Sequence, residues 1–178
     1  MLNLAHYLDV VANRYPNNTG VILDDVRLSW HDLAEFARRV ANVLQSKGIR
    51  RGDTVAMMIP NTPHFPAIYY GILHAGAAVV PVNVLYQHQE IEHYLTDSGA
   101  KAFFAFEMFE EEARKAFLGA ESCKDFFVVS APHELGDPVV GENFTKAVMQ
   151  AAPTFDTVQT MPDDTAVILI YVGNNRRA

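Results

Sequence analysis

Between Thr54 and Ser130 the chain alternates short apolar runs with longer helical stretches, and this alternation narrows the choice of fold more than any other feature. Thr54–Ile59, Val79–Val82, Lys101–Phe106 and Phe126–Ser130 read as strands. Helical patterns over Thr62–Ala75, Glu90–Thr96 and Glu107–Leu118 separate them. Thr54–Ile59 is apolar without alternation, as in a parallel strand covered on both faces. Strands joined through helices imply right-handed crossovers, so the expected class is α/β, a mostly parallel sheet flanked by helices. Pro81 places Val79–Val82 at a sheet edge or a strand end.

The flanking regions carry local signals. Leu4, Tyr7, Leu8 and Val11 recur at helical spacing over Asn3–Tyr15, and Pro16-Asn17-Asn18 breaks the pattern. Val21–Leu23 and Val26–Leu28 flank Asp24-Asp25, a two-residue hairpin turn. Ser29 caps the next helix, with Asp32 closing a capping box. Leu33, Phe36, Ala37, Val40, Ala41 and Leu44 form its apolar stripe, which Lys47-Gly48 ends. Thr62-Pro63 supplies the cap and first turn of another helix. Residues 131–162 read mostly as loop with a short helix over Phe144–Ala151, and Val167–Tyr171 as a buried strand.

A chain of 178 residues fits one α/β domain spanning 1–178, with no internal repeat or linker to support a second. Its 49% hydrophobic and 20% charged residues are globular in character. With a net charge of -7 and no cluster of Lys and Arg, nucleic acid is not an expected partner. The single cysteine, Cys123, excludes an internal disulfide and suggests a reducing cytoplasm. The run from Gly71 to Val82 is interrupted by His74 and too short to span a bilayer, and no secretory signal is visible, so a soluble cytoplasmic protein is expected.

Candidate chemical groups are few. His88 and His93, beside Glu90 and Glu92, lack the spacing that places two histidines on one helical face, so no metal is expected. Ser98 sits in the turn Asp97-Ser98-Gly99 without a nucleophile-elbow context. Cys123 beside Lys124 is read as a structural thiol, and Glu110–Glu112 as an exposed helix stretch. Phe103, Phe104, Phe106, Phe109, Phe126 and Phe127 are read as core rather than acyl pocket. Gly52, Gly76 and Gly99 stand where a turn or helix hands over to a strand. No G-x-G-x-x-G follows an early strand, which speaks against an unrelated small α/β nucleotide- or flavin-binding protein.

Several segments, in order, resemble the acyl-CoA ligases of the adenylate-forming superfamily. Leu28-Ser29-Trp30-His31-Asp32-Leu33 followed by Gly48-Ile49-Arg50-Arg51-Gly52-Asp53-Thr54-Val55-Ala56 is similar to L-T-Y-x-E-L, helix, G-V-x-x-G-D-x-V-A. Pro60-Asn61, Gly71-Ile72-Leu73-His74-Ala75-Gly76-Ala77 and Val80-Pro81-Val82-Asn83 resemble the succession P-N, G-x-x-x-A-G-A, V-P-x-N. Leu85-Tyr86, Glu90–Leu95 and Asp97-Ser98-Gly99-Ala100 resemble L-Y, E-L-x-H-x-L and D-S-G-A of members acting on medium- and long-chain fatty acids. Asp163–Tyr171 is similar to the strand that leads into the family's phosphate loop, T-S-G-T-T-G-x-P-K-G.

Here Tyr171 is followed by Val172-Gly173-Asn174-Asn175-Arg176-Arg177-Ala178 instead. One codon choice for Y-T-S-G-T-T-G-G-P, with AC deleted after the Tyr codon, translates as Y-V-G-N-N-R-R-A. Tyr171 and Gly173 are thus read as the remnant of a phosphate loop lost to a frameshift, the alternative being ordinary tail residues. The resemblance implies an N-terminal α/β subdomain, incomplete here, of an enzyme that joins a fatty acid to CoA through an acyl-adenylate, using ATP and magnesium. It also implies that the adenine, magnesium and ribose contacts and the C-terminal domain with its catalytic Lys lie outside this chain. The expectation is therefore no catalytic residue and no cofactor for the chain alone. The alternative is an interaction or self-association module, pairing as a homo-oligomer through Val167–Tyr171.

Overall fold

The computed structural model describes residues 3–130 and 136–170. Five strands form one sheet in the order β4-β3-β5-β6-β7, with every neighbouring pair parallel. They are β3 (Thr54–Met58), β4 (Ala78–Pro81), β5 (Ala102–Phe106), β6 (Asp125–Val129) and β7 (Glu142–Asn143). β1 (Thr19–Leu23) and β2 (Val26–Ser29) make a separate antiparallel hairpin, turned at Asp24 with φ 50°.

The pleat of the sheet feeds two cores. Val55, Met57, Val79, Phe104 and Phe127 pack beneath α2 (Trp30–Ser46), α3 (His64–His74) and α6 (Phe144–Gln150). Ala56, Met58, Val80, Phe103, Ala105 and Phe126 pack on the opposite side beneath α4 (His88–Asp97) and α5 (Glu110–Gly119). The phenylalanines are core, as expected. Phe103 stacks on Phe126 at 5.5 Å, and Phe104 on Phe127 at 4.8 Å with Phe144 edge-on at 5.7 Å.

The cap at Ser29 is a full capping box, its hydroxyl accepting from the Asp32 amide at 3.1 Å. Gly76 ends the α3 turn at φ 77°, and a Cβ there would lie 2.7 Å from Val158 Cγ1.

Four details differ from the sequence reading. α1 (Ala5–Arg14) buries Ala5, Leu8 and Ala12, leaving Tyr7 71% exposed, because small residues let this helix lie close against Leu33, Ala34, Ala37 and Ala67. α3 begins at His64 with Pro63 as its N-cap, so Thr62 makes no capping bond. β7 lies within the expected loop, held by the edge of β6 rather than by any strand propensity of Glu142-Asn143. The segment beginning at Val167 is not a buried strand: a single parallel bridge joins it to Val79, and Leu169 is 79% exposed. Its polar approach and its position outside β4, which is the edge strand Pro81 suggested, leave one face without cover. Tyr171 and Gly173 lie outside the described residues.

Candidate functional site at the carboxyl ends of the strands

Open parallel sheets bind ligands beyond the carboxyl ends of their strands, where neighbouring strands send their connections to opposite faces. β3 and β5 are such neighbours, since α3 follows β3 on one face and α5 follows β5 on the other. The rim is built by residues 59–64, 82–88 and 106–112. The segment that leads to Tyr171 arrives there too. The Val167 bridge to Val79 is fixed by the Val79 amide donating to Ala166 O and the Ile168 amide donating to Val79 O, both at 2.9 Å. From this bridge the chain continues toward Ile170. The Tyr94 hydroxyl donates to the Ile170 carbonyl, and the Tyr86 hydroxyl lies 3.5 Å from the Tyr94 hydroxyl. Burial, reinforced by Tyr86, pushes the Tyr94 phenol up to about 12, so it remains a donor.

The path to this position is pinned. Arg38 donates to Pro153 O at 3.1 Å, and Asn42 to Ala152 O and Thr154 O at 2.9 and 2.8 Å. Thr157 Oγ1 meets His74 Nδ1 at 2.8 Å, and the buried Asn3 amide donates to Leu73 O and Val158 O at 2.6 and 2.9 Å. His74 is wholly buried with Nε2 unpartnered among the described residues. Burial depresses its pKa to about 4; Asp9 opposes this, while Arg38 and His6 add to it. None of this network was anticipated. The only sequence signal was a histidine inside an apolar run.

Ion pairs stud both ends of the sheet. Lys101 pairs with Asp53 at 2.6 Å, Arg51 with Asp164 at 2.6 Å and Lys47 with Asp125 at 3.8 Å, all at the amino ends of the strands. The carboxyl-end segments 59–64, 82–88 and 106–112 hold no Lys or Arg, and Glu110, Glu111 and Glu112 are matched by Arg114 and Lys115 one turn further along α5. The amino end of α4 is already satisfied from within. Gln87 and Glu90 form a capping box, and Glu112 accepts from the His88 amide and ring, each at 2.9 Å. Lys115 first, then His88, hold the Glu112 carboxyl down to about 2. A triphosphate with its magnesium needs cationic donors and open backbone amides, and these rim segments do not fit it.

The remaining candidates are dispersed. His88 is tied to Glu112, and His93 is exposed on the same helix. Ser98 Oγ donates to the Tyr94 carbonyl at 2.6 Å, as a helix-end hydroxyl does. Cys123 is 4% exposed, and burial pushes its thiol up to about 12, as for a structural cysteine.

The profile of the family described as AMP-binding enzyme matches residues 8–171. The chain belongs to the AMP-binding enzyme family. It is 39% identical over 153 residues to the long-chain-fatty-acid–CoA ligase FadD13 of Mycobacterium tuberculosis, covering 84% of this chain and 28% of that one. A long-chain-fatty-acid–CoA ligase of Bacillus subtilis is 36% identical over 104 residues, covering 58% of this chain and 19% of its own length. Among solved structures, the N-terminal domain of FACL13 from M. tuberculosis superposes with a TM-score of 0.84 at 24% identity, over 99% of this chain and 43% of that one. A benzoate CoA ligase from Burkholderia xenovorans gives 0.81 at 26% identity, over 94% and 32%. The α/β class is thus that of the N-terminal domain of adenylate-forming ligases, and the chain spans less than a third of the curated relatives named here. Among the described residues no helix is long and apolar enough to cross a membrane.

Proposed function

We propose that this chain is the N-terminal scaffold of a fatty acyl-CoA ligase and that, alone, it forms no acyl-adenylate. The observation that supports this reading is the course of Ala166–Ile170 beside β4 toward the carboxyl end of the sheet, where the rim segments 59–64, 82–88 and 106–112 carry no Lys or Arg. In the full-length family the acid attacks the α-phosphate of ATP and CoA then displaces AMP, chemistry that rests on preorganised positive charge. The rim segments here offer carboxylates, so no step of that reaction is assigned to them. ATP–pyrophosphate exchange with a fatty acid tests the reading. Background rates are expected, and exchange that rises with the amount of chain overturns it.

A second reading draws on the exposed Leu169 and the single-bridge pairing beside β4, which leave an edge available to another strand. Such a module self-associates through Val167–Ile170. Sedimentation that shows only monomer at high concentration removes it.

A further inference from the structure

Beside the same carboxyl-end rim, to which His64 belongs, a concavity of roughly 300 Å³ opens between α2, α3 and α6. Its apolar wall is a cluster of rings. Phe36 and His64 meet edge-on at 5.9 Å, His64 and Phe144 at 6.2 Å, and Phe36 and Phe144 at 5.8 Å, with the buried Val148 beside them. Two polar groups interrupt this surface. Ser130, at the carboxyl end of β6, is 5% exposed and lines the concavity. His64, also in the wall, has its pKa lowered by burial, against a smaller opposing effect of Glu107. The ring is therefore neutral at pH 7, carrying one donor and one acceptor nitrogen.

The mouth has a definite charge. Asp32 is held ionised by its bonds to Ser29, while Glu35 is matched by Arg39, whose guanidinium lies 2.8 and 3.1 Å from its carboxylate. One negative charge is left over among these three. A bound carboxylate would lose hydration against the rings and meet no unpaired cation among Asp32, Glu35 and Arg39, which disfavours it relative to a neutral ligand.

We propose that this concavity is a binding site for a compact neutral aromatic molecule carrying one hydroxyl. The ring packs against Phe36, Phe144 and Val148, and the hydroxyl exchanges hydrogen bonds with Ser130 and His64. The volume accepts a single ring with small substituents, at the lower limit for small-molecule pockets. The site does not depend on ligase chemistry, so it stands whether or not the chain derives from a fatty acyl ligase.

The experiment is a titration of the purified chain with phenol, toluene, benzoate and benzylammonium, followed by NMR of the His64 ring and the Met149 methyl. Saturable phenol shifts at both residues are expected, with benzoate and benzylammonium at least tenfold weaker. Ser130→Ala should weaken phenol at least fivefold and leave toluene unchanged. Thr145→Trp, at an exposed position on the mouth, should abolish the shifts while the rest of the spectrum stays native. Absence of saturable phenol binding, benzoate or benzylammonium binding as tightly as phenol, or phenol affinity indifferent to Ser130→Ala would each overturn the proposal.

Discussion

Gly71 of α3 lies directly against Val40 of α2: a Cβ built on Gly71 would come 2.5 Å from Val40 Cβ and 2.9 Å from the Ala37 carbonyl oxygen. Neither neighbour can yield cheaply, since one is β-branched and the other is backbone. Gly71→Ala should gain about 1 kcal/mol of helix propensity and lose more to overpacking, a net loss of about 2 kcal/mol. Thermal unfolding should show this as a fall in Tm of about 4–8 °C.

His74 gives the fold an acid-sensitive element. Its folded pKa is about 4 against an ordinary 6.5, so between those values the unfolded chain takes up a proton that the folded chain refuses. Its contribution is therefore fully present above pH 6.5 and declines as pH falls to about 4, by roughly 2–3 kcal/mol. Urea unfolding at pH 7 and pH 4.5 should show a loss in the wild type that is smaller in His74→Gln.

Tyr94→Phe removes the donor to Ile170 O while keeping the ring in the core. The expected cost is about 1 kcal/mol. Hydrogen exchange should quicken at the Ile168 amide, which donates to Val79 O, while amides of β5 stay as protected as before. Equal loss of protection in both places would show that the bond serves global stability instead.

Cys123 should resist a thiol reagent in the folded chain. With its thiol buried and its pKa pushed up to about 12, thiolate at pH 8 is scarce. Labelling should be at least 100-fold slower than for a free cysteine and become fast in denaturant, a contrast of the size that thiolate depletion and burial together imply.

The sequence disclosed those parts of the fold that depend on local chemistry. Ser29 and Asp32 predict a capping box because the spacing alone creates it, and Pro81 marks an edge because it lacks a donor. The buried face of α1 was misread because Leu4 and Tyr7 outweigh alanine on any hydrophobic scale. Close helix packing instead selected Ala5 and Ala12. β7 and the His74–Thr157 contact were invisible for another reason: both depend on pairing between distant segments, which no local pattern encodes. The ordered resemblance singled out Asp163–Tyr171 as the approach to a loop, but not its exposed course beside β4. The lack of Lys and Arg on the carboxyl-end rim emerged only when the topology gathered residues 59–64, 82–88 and 106–112 at one end of the sheet.

Calorimetric titration of the chain with ATP in the presence of magnesium tests the central claim most directly. A rim without a free cation in segments 59–64, 82–88 and 106–112, and with the His88 amide already bonded to Glu112, predicts no saturable heat. A stoichiometric site that requires magnesium would contradict the account.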